Sequence, residues 1–77
     1  MKQTIRDFIE TDLLSGQKLE DDQELLLSGM VDSLGVMKLV SFIDKDLGIR
    51  VPHSDIKLRN FATIDAIANY LETKQAA

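Results

Sequence analysis

Cysteine and tryptophan are absent from the 77 residues, and histidine and proline occur once each, as His53 and Pro52. Without cysteine there is no disulfide and no thiolate zinc site, and one histidine cannot build an imidazole cluster. Aromatic residues make up only 5% of the chain, so a core must be aliphatic and drawn from the 44% of residues that are hydrophobic. Long apolar runs are missing as well. Nothing approaches the ~20 residues needed to span a bilayer, and Met1-Lys2-Gln3-Thr4-Ile5 lacks the apolar stretch of a signal peptide. A single cytoplasmic domain, 1–77, with no membrane insertion is expected, and monomer is the default state. An excess of basic residues is also missing. The net charge of −4 argues against nucleic acid and anionic membranes and favours partners with basic patches. Residues 1–32 carry eight acids against three bases, whereas 49–77 carry three against four, so the acidity precedes Ser33.

What is present is helical periodicity. Ile5, Phe8, Ile9 and Leu13 share one face of a first helix expected over 3–14, with Arg6, Asp7, Glu10 and Thr11 on the other. Asp12 intrudes on the apolar arc and predicts an irregular last turn, and Ser15-Gly16 is the stop. Residues 15–32 then form a connection longer than compact domains usually tolerate. Its Leu25-Leu26-Leu27 run predicts a packed loop with one or two leucines in the core and one helical turn. Asp21-Asp22 reads as a solvated turn.

The best helix is expected over 33–47, capped by Asp32 or Ser33 and closed by Gly48. Val36, Leu39, Val40, Ile43 and Leu47 gather into its core face, with Lys38, Ser41 and Lys45 opposite. Leu34 and Met37 fall outside the core arc, close to Ser33, as an apolar contact surface, while Phe42 is intermediate. Pro52 keeps Val51 extended. A short helix is expected at 53–58, with Ile56 and Leu58 as core residues, and a last helix over 64–73 capped by Thr63, with Ile64, Ile67, Ala68 and Leu71 buried, Tyr70 flanking and a frayed tail from Thr73 to Ala77. The fold class is all-α, a small bundle of three main helices plus a short one.

Catalytic sets are hard to assemble. Asp44 and Asp46 lie ~200° apart around a helix, His53 reads as a surface loop residue with no evident link to Ser33, and no glycine-rich phosphate loop is present. Taken alone, Asp32-Ser33 reads as an ordinary cap. Its surroundings add three features: a helix N-terminus that favours an attached phosphate, an acid able to orient a metal-bound pyrophosphate, and the landing surface of Leu34 and Met37.

The residues Leu27-Ser28-Gly29-Met30-Val31-Asp32-Ser33-Leu34, then Val36 through Leu47 closed by Gly48, with Ile49-Arg50-Val51-Pro52 and Phe61-Ala62-Thr63-Ile64, resemble the acyl carrier protein family. The resemblance runs from the first helix to Leu71. It implies a non-enzyme whose Ser33, flanked by Asp32, carries 4′-phosphopantetheine installed from coenzyme A by a Mg²⁺-dependent phosphopantetheinyl transferase. A loading ligase or acyltransferase would place acyl or aminoacyl thioesters on the arm, and synthase or transferase enzymes would take them off. Leu34, Met37, Lys38 and Ser41 fall where such carriers meet partners. Fatty-acid carriers usually place an acid after the Ser-Leu pair and have an acidic second helix; here Gly35 and Lys38 stand at such positions and the helix is neutral. Peptidyl carriers usually show Gly-Gly where this chain has Met30-Val31. The expectation is therefore a free-standing carrier of a specialised polyketide or nonribosomal-peptide type pathway, with a D-alanyl or fatty-acid carrier as the alternative. Outside the family, the same patch would suit an unmodified helical adaptor binding through Leu34 and Met37.

Overall fold

The computed structural model describes residues 1–76, and every regular element among them is helical. Helix α1 spans Lys2–Phe8 and runs on into a π turn at Ile9–Leu13. There the Leu14 N–H donates to the Ile9 carbonyl across five residues at 2.9 Å. The wider turn is the irregularity that Asp12 predicts: Ile5 and Ile9 stay fully buried while Asp12 reaches solvent. Ser15 (φ 54°) and Gly16 (φ 94°) then turn the chain away.

Glu10 departs from the sequence reading. It is buried rather than on the polar face, and its Oε2 accepts the Leu19 N–H at 2.7 Å. One carboxylate thus satisfies a buried donor of the long connection and ties it to the first helix. The connection is packed as expected. Leu25 is buried, together with Leu19 and Val31, while Leu27 stays out in solvent. A tight turn over 25–30 is held by the Glu24 carboxylate, which accepts the N–H groups of Leu26 and Leu27 at 2.6 Å each.

Asp21 is not the solvated turn residue expected. It is half-buried and paired with Arg6 and, at 3.7 Å, with Lys2, which also reaches Asp65 at 2.8 Å. The Asp65 N–H donates to the Asp21 carbonyl at 3.0 Å and the Leu25 N–H to that of Ala62 at 2.8 Å, so the loop is fastened to the last helix.

Helix α2 spans Ser33–Leu47, as its pattern predicts. Val36, Leu39 and Ile43 are buried, Val40 and Leu47 are half-buried, and Phe42 stacks on Phe8 of α1 with centroids 4.3 Å apart. Gly48 closes it in the left-handed conformation at φ 69°, donating to the Asp44 carbonyl.

The short helix expected at 53–58 is divided. A 3₁₀ turn occupies His53–Asp55 and helix α3 occupies Leu58–Phe61, because Ile56 and Lys57 between them are not helical. Leu58, expected in the core, is instead exposed; Phe61 fills the core and Ile56 packs at its edge. Helix α4 spans Ile64–Ala76 and packs on α1 and α3. The Thr63 Oγ1 accepts the Ala66 N–H at 3.0 Å and so caps α4, as expected. The frayed tail is not observed over Thr73–Ala76, which continues the helix; Ala77 lies outside the described residues. Tyr70 sits at the core edge and donates from its hydroxyl to Asp55 at 2.5 Å, with the Lys74 ammonium 3.9 Å from the same carboxylate oxygen. Burial first, then the bond to and charge of Asp55, push the Tyr70 hydroxyl up to about 12.

Candidate functional site

The sequence leaves open whether Asp32 or Ser33 caps α2. It is Asp32: its backbone is extended (φ −96°, ψ −176°), its Oδ1 accepts the Gly35 N–H at 2.9 Å, and its carbonyl accepts the Val36 N–H. Ser33 is therefore the first helical residue. It is exposed, and its hydroxyl enters no hydrogen bond among the described residues. It stands at the positive end of a 15-residue helix, where first-turn N–H groups lack intrahelical acceptors.

Gly35 explains how the helix start comes so close to the preceding loop. It is buried, and a Cβ there would meet Val31 Cγ1 at 2.9 Å, with Asp32 Oδ1 and Leu13 Cδ1 also within 4 Å. A side chain at this position would push α2 off Val31. Here the chain's lack of an acid after Ser33-Leu34 has a packing cause.

Beside Ser33 opens a groove of about 550 Å³. Val36 and Met37 of α2 form one wall, Leu26 and Val31 the second, and Ile56, Leu58 and Phe61 the third. The groove is open to solvent and mostly apolar, with Asp32, His53 and Lys57 as its charged or titratable lining. The fold thus brings His53, which has no sequence link to Ser33, onto the same groove. Leu58 is the functional-site candidate that sequence reasoning misses: assigned to the core, it is in fact exposed at the groove. Its position after the non-helical pair Ile56-Lys57 is a tertiary outcome that local pattern does not reveal.

Leu34 and Met37 are exposed at 66% and 48%, as the helical wheel predicts, and Lys38 and Ser41 are exposed on the same helix. Leu34 and Lys38 line a second, smaller depression with Asp12, Asp32 and Gly35. Ser33 lines the larger hollow with Met37 and Leu58, while its chain neighbours Asp32 and Leu34 line the smaller. Among the described residues no three His, Cys, Asp or Glu side chains gather as a metal site, and no helix is long and apolar enough to cross a membrane.

No curated protein sequence matches this chain. One similar solved structure, described as the crystal structure of an FAD-dependent dehydrogenase, contains a chain that is 30% identical, with a TM-score of 0.80 over 87% of this chain and 97% of that one. The sequence model of the phosphopantetheine attachment site family matches residues 2–71. That match takes in all of α1, the long connection, α2 and α3, and α4 as far as Leu71, so the chain belongs to the phosphopantetheine-binding carrier family, whose members hold 4′-phosphopantetheine covalently.

Proposed function

We propose that Ser33 is the attachment residue and that the chain works as a free-standing carrier of acyl or aminoacyl thioesters. The observation that carries this reading is the division of labour at the start of α2. Asp32 alone caps the helix, so Ser33 offers an exposed hydroxyl that makes no hydrogen bond among the described residues. Substitution on Oγ therefore leaves the helix start intact. The surroundings fit a phosphodiester: first-turn N–H groups and the helix dipole favour an anion at this atom.

Attachment forms a bond from Ser33 Oγ to the phosphorus next to pantetheine in coenzyme A. The pyrophosphate bond breaks, the nucleotide half leaves, and the hydroxyl proton passes to a base on the transferase. Asp32, exposed beside Ser33, would be the residue to help orient a metal-bound pyrophosphate. Once in place, the arm supplies a thiol that carries cargo as a thioester. The chain's own part is to present the arm at a rigid helix start, to lay an apolar groove beside it and to be recognised through Leu34, Met37, Lys38 and Ser41.

The neutral α2 favours a specialised polyketide or nonribosomal-peptide type pathway over fatty-acid synthesis. The solved relative has nearly this chain's length, and its crystal is described by an FAD-dependent dehydrogenase. This favours a flavin dehydrogenase as the first class of cargo-modifying enzyme to try.

Intact mass after incubation with coenzyme A, Mg²⁺ and a broad-specificity phosphopantetheinyl transferase tests the site. The expected result is a gain of one phosphopantetheine in the natural chain and none in Ser33→Ala, with the helical circular dichroism of the two alike. A loaded Ser33→Ala chain would overturn the assignment.

A further inference from the structure

The three walls of the groove beside Ser33 are not held alike. Val36 and Met37 belong to the continuous helix α2. The wall at Leu26 and Val31 is tied across the fold, because the Leu25 N–H donates to the Ala62 carbonyl at 2.8 Å. The third wall runs from His53 to Phe61 and is broken by the non-helical pair Ile56-Lys57. Its hydrogen bonds close on themselves. The Asp55 N–H donates to the Pro52 carbonyl, the Ile56 N–H to that of His53, and the Lys57 N–H and Asn60 side-chain amide to that of Asp55.

Among the described residues, one hydrogen bond ties 53–57 to another part of the fold: the Tyr70 hydroxyl of α4 donates to Asp55 Oδ2 at 2.5 Å. The Lys74 ammonium stands 3.9 Å from the same oxygen, and the Tyr70 ring lies 5.9 Å from that of buried Phe61. Asp55 is thus a junction. Its carbonyl gathers the start of α3, and its carboxylate fastens that turn to α4. The Tyr70 hydroxyl, pushed up to about 12 by burial first and then by Asp55, stays a donor throughout the neutral range. Neither Asp55 nor Tyr70 lines the groove, whereas His53, Ile56, Lys57 and Leu58 on either side of Asp55 all do.

We infer that the Tyr70–Asp55 hydrogen bond is a latch behind the groove, which holds the third wall in place and so lets the groove shelter an apolar cargo on the Ser33 arm. Tyr70 and Asp55 are positioning residues that act through Ile56 and Leu58. The use of the latch rests on the Ser33 reading; its existence does not, and the unmodified chain tests it. Loss of the bond frees a short stretch whose opening needs little of the remaining fold to unfold.

The first test is amide hydrogen exchange on the unmodified chain. Tyr70→Phe and Asp55→Ala are expected to speed exchange at Ile56, Lys57 and Asn60 by about tenfold, with Val36, Leu39 and Ile43 of α2 much less affected. Asp55→Asn, which keeps an acceptor oxygen, should stay near the natural chain, as should Glu72→Ala on the exposed side of α4. The double variant Asp55→Ala/Tyr70→Phe should exchange no faster than the faster single variant, because both remove one bond. The second test loads Ser33 from acetyl- and octanoyl-coenzyme A and follows cleavage of each thioester by hydroxylamine. Octanoyl cleavage is expected to be several-fold faster in Tyr70→Phe than in the natural chain, with acetyl cleavage unchanged. Equal acceleration in α2 and the third wall, or additive effects of the two substitutions, would overturn the latch. A local acceleration with no change in the octanoyl-to-acetyl ratio would overturn its role at the groove. A natural chain that fails to load would overturn the Ser33 reading itself, a failure separate from the exchange result.

Discussion

The two halves of the surface use their polar groups differently. In residues 2–31 several charged side chains hold the fold together. Glu10 takes the Leu19 N–H, Glu24 closes the turn before Gly29, and Arg6 and Lys2 clasp Asp21 against α4. From Ser33 to Arg59, among the described residues, the Ser33 hydroxyl makes no hydrogen bond, five cations and the exposed Asp44 and Asp46 make no ion pair, and Leu34, Met37 and Leu58 stand in water.

Substitutions can break or sharpen this division. The largest effect on stability is expected at Glu10. Glu10→Ala leaves the Leu19 N–H buried without its acceptor, a cost of about 2 kcal/mol, seen as a lower thermal midpoint and a lower denaturant midpoint. Glu10→Gln keeps an acceptor oxygen and recovers much of the loss. Loading at Ser33 by the folded protein stays as it was, because Glu10 lies in the structural half.

A smaller loss is expected at the boundary between the halves. Asp32→Ala removes the cap of α2 and costs about 1 kcal/mol, whereas Asp32→Asn is nearly neutral in a thermal melt. Ser33→Ala changes the midpoint less than either, since the cap does not use it. If Ser33→Ala proved the more destabilising of the two alanine variants, the division of labour at this helix start would be wrong.

One effect appears only in alkali. The Tyr70 hydroxyl is raised from its ordinary 10.0 to about 12, so the folded chain holds this proton more tightly than the unfolded one. Its contribution is complete below pH 10 and is lost as pH rises from 10 to 12. Asp55, which accepts the bond, Lys74 beside it and the Phe61 ring surround the hydroxyl. Urea midpoints measured across that window should fall for the natural chain and fall less for Tyr70→Phe.

How much of this was legible in the sequence follows from the range of each interaction. The extent of helix α2 was readable because its stripe and Gly48 are local signals within sixteen or so residues, while the choice of Asp32 over Ser33 as its cap was not. Leu34 and Met37 were found outside the core by the same periodicity. Glu10 and Asp21 were misread because their partners, Leu19 and Arg6, are brought to them by the fold of the long loop rather than by helical spacing. Leu58 was assigned to the core because an apolar residue after a short turn usually goes there; the non-helical Ile56-Lys57 pair sets the start of α3, and Phe61 takes the buried place. The end of α4 was set too early because a polar tail carries no apolar stripe, although the helix continues through it.

The decisive measurement is fragment-ion mapping of the chain after loading with phosphopantetheine. The arm is expected on Ser33 alone, the hydroxyl that the cap leaves untouched. An arm on Ser28, whose hydroxyl is already bonded to the Glu24 carbonyl, or on any other serine would contradict the assignment.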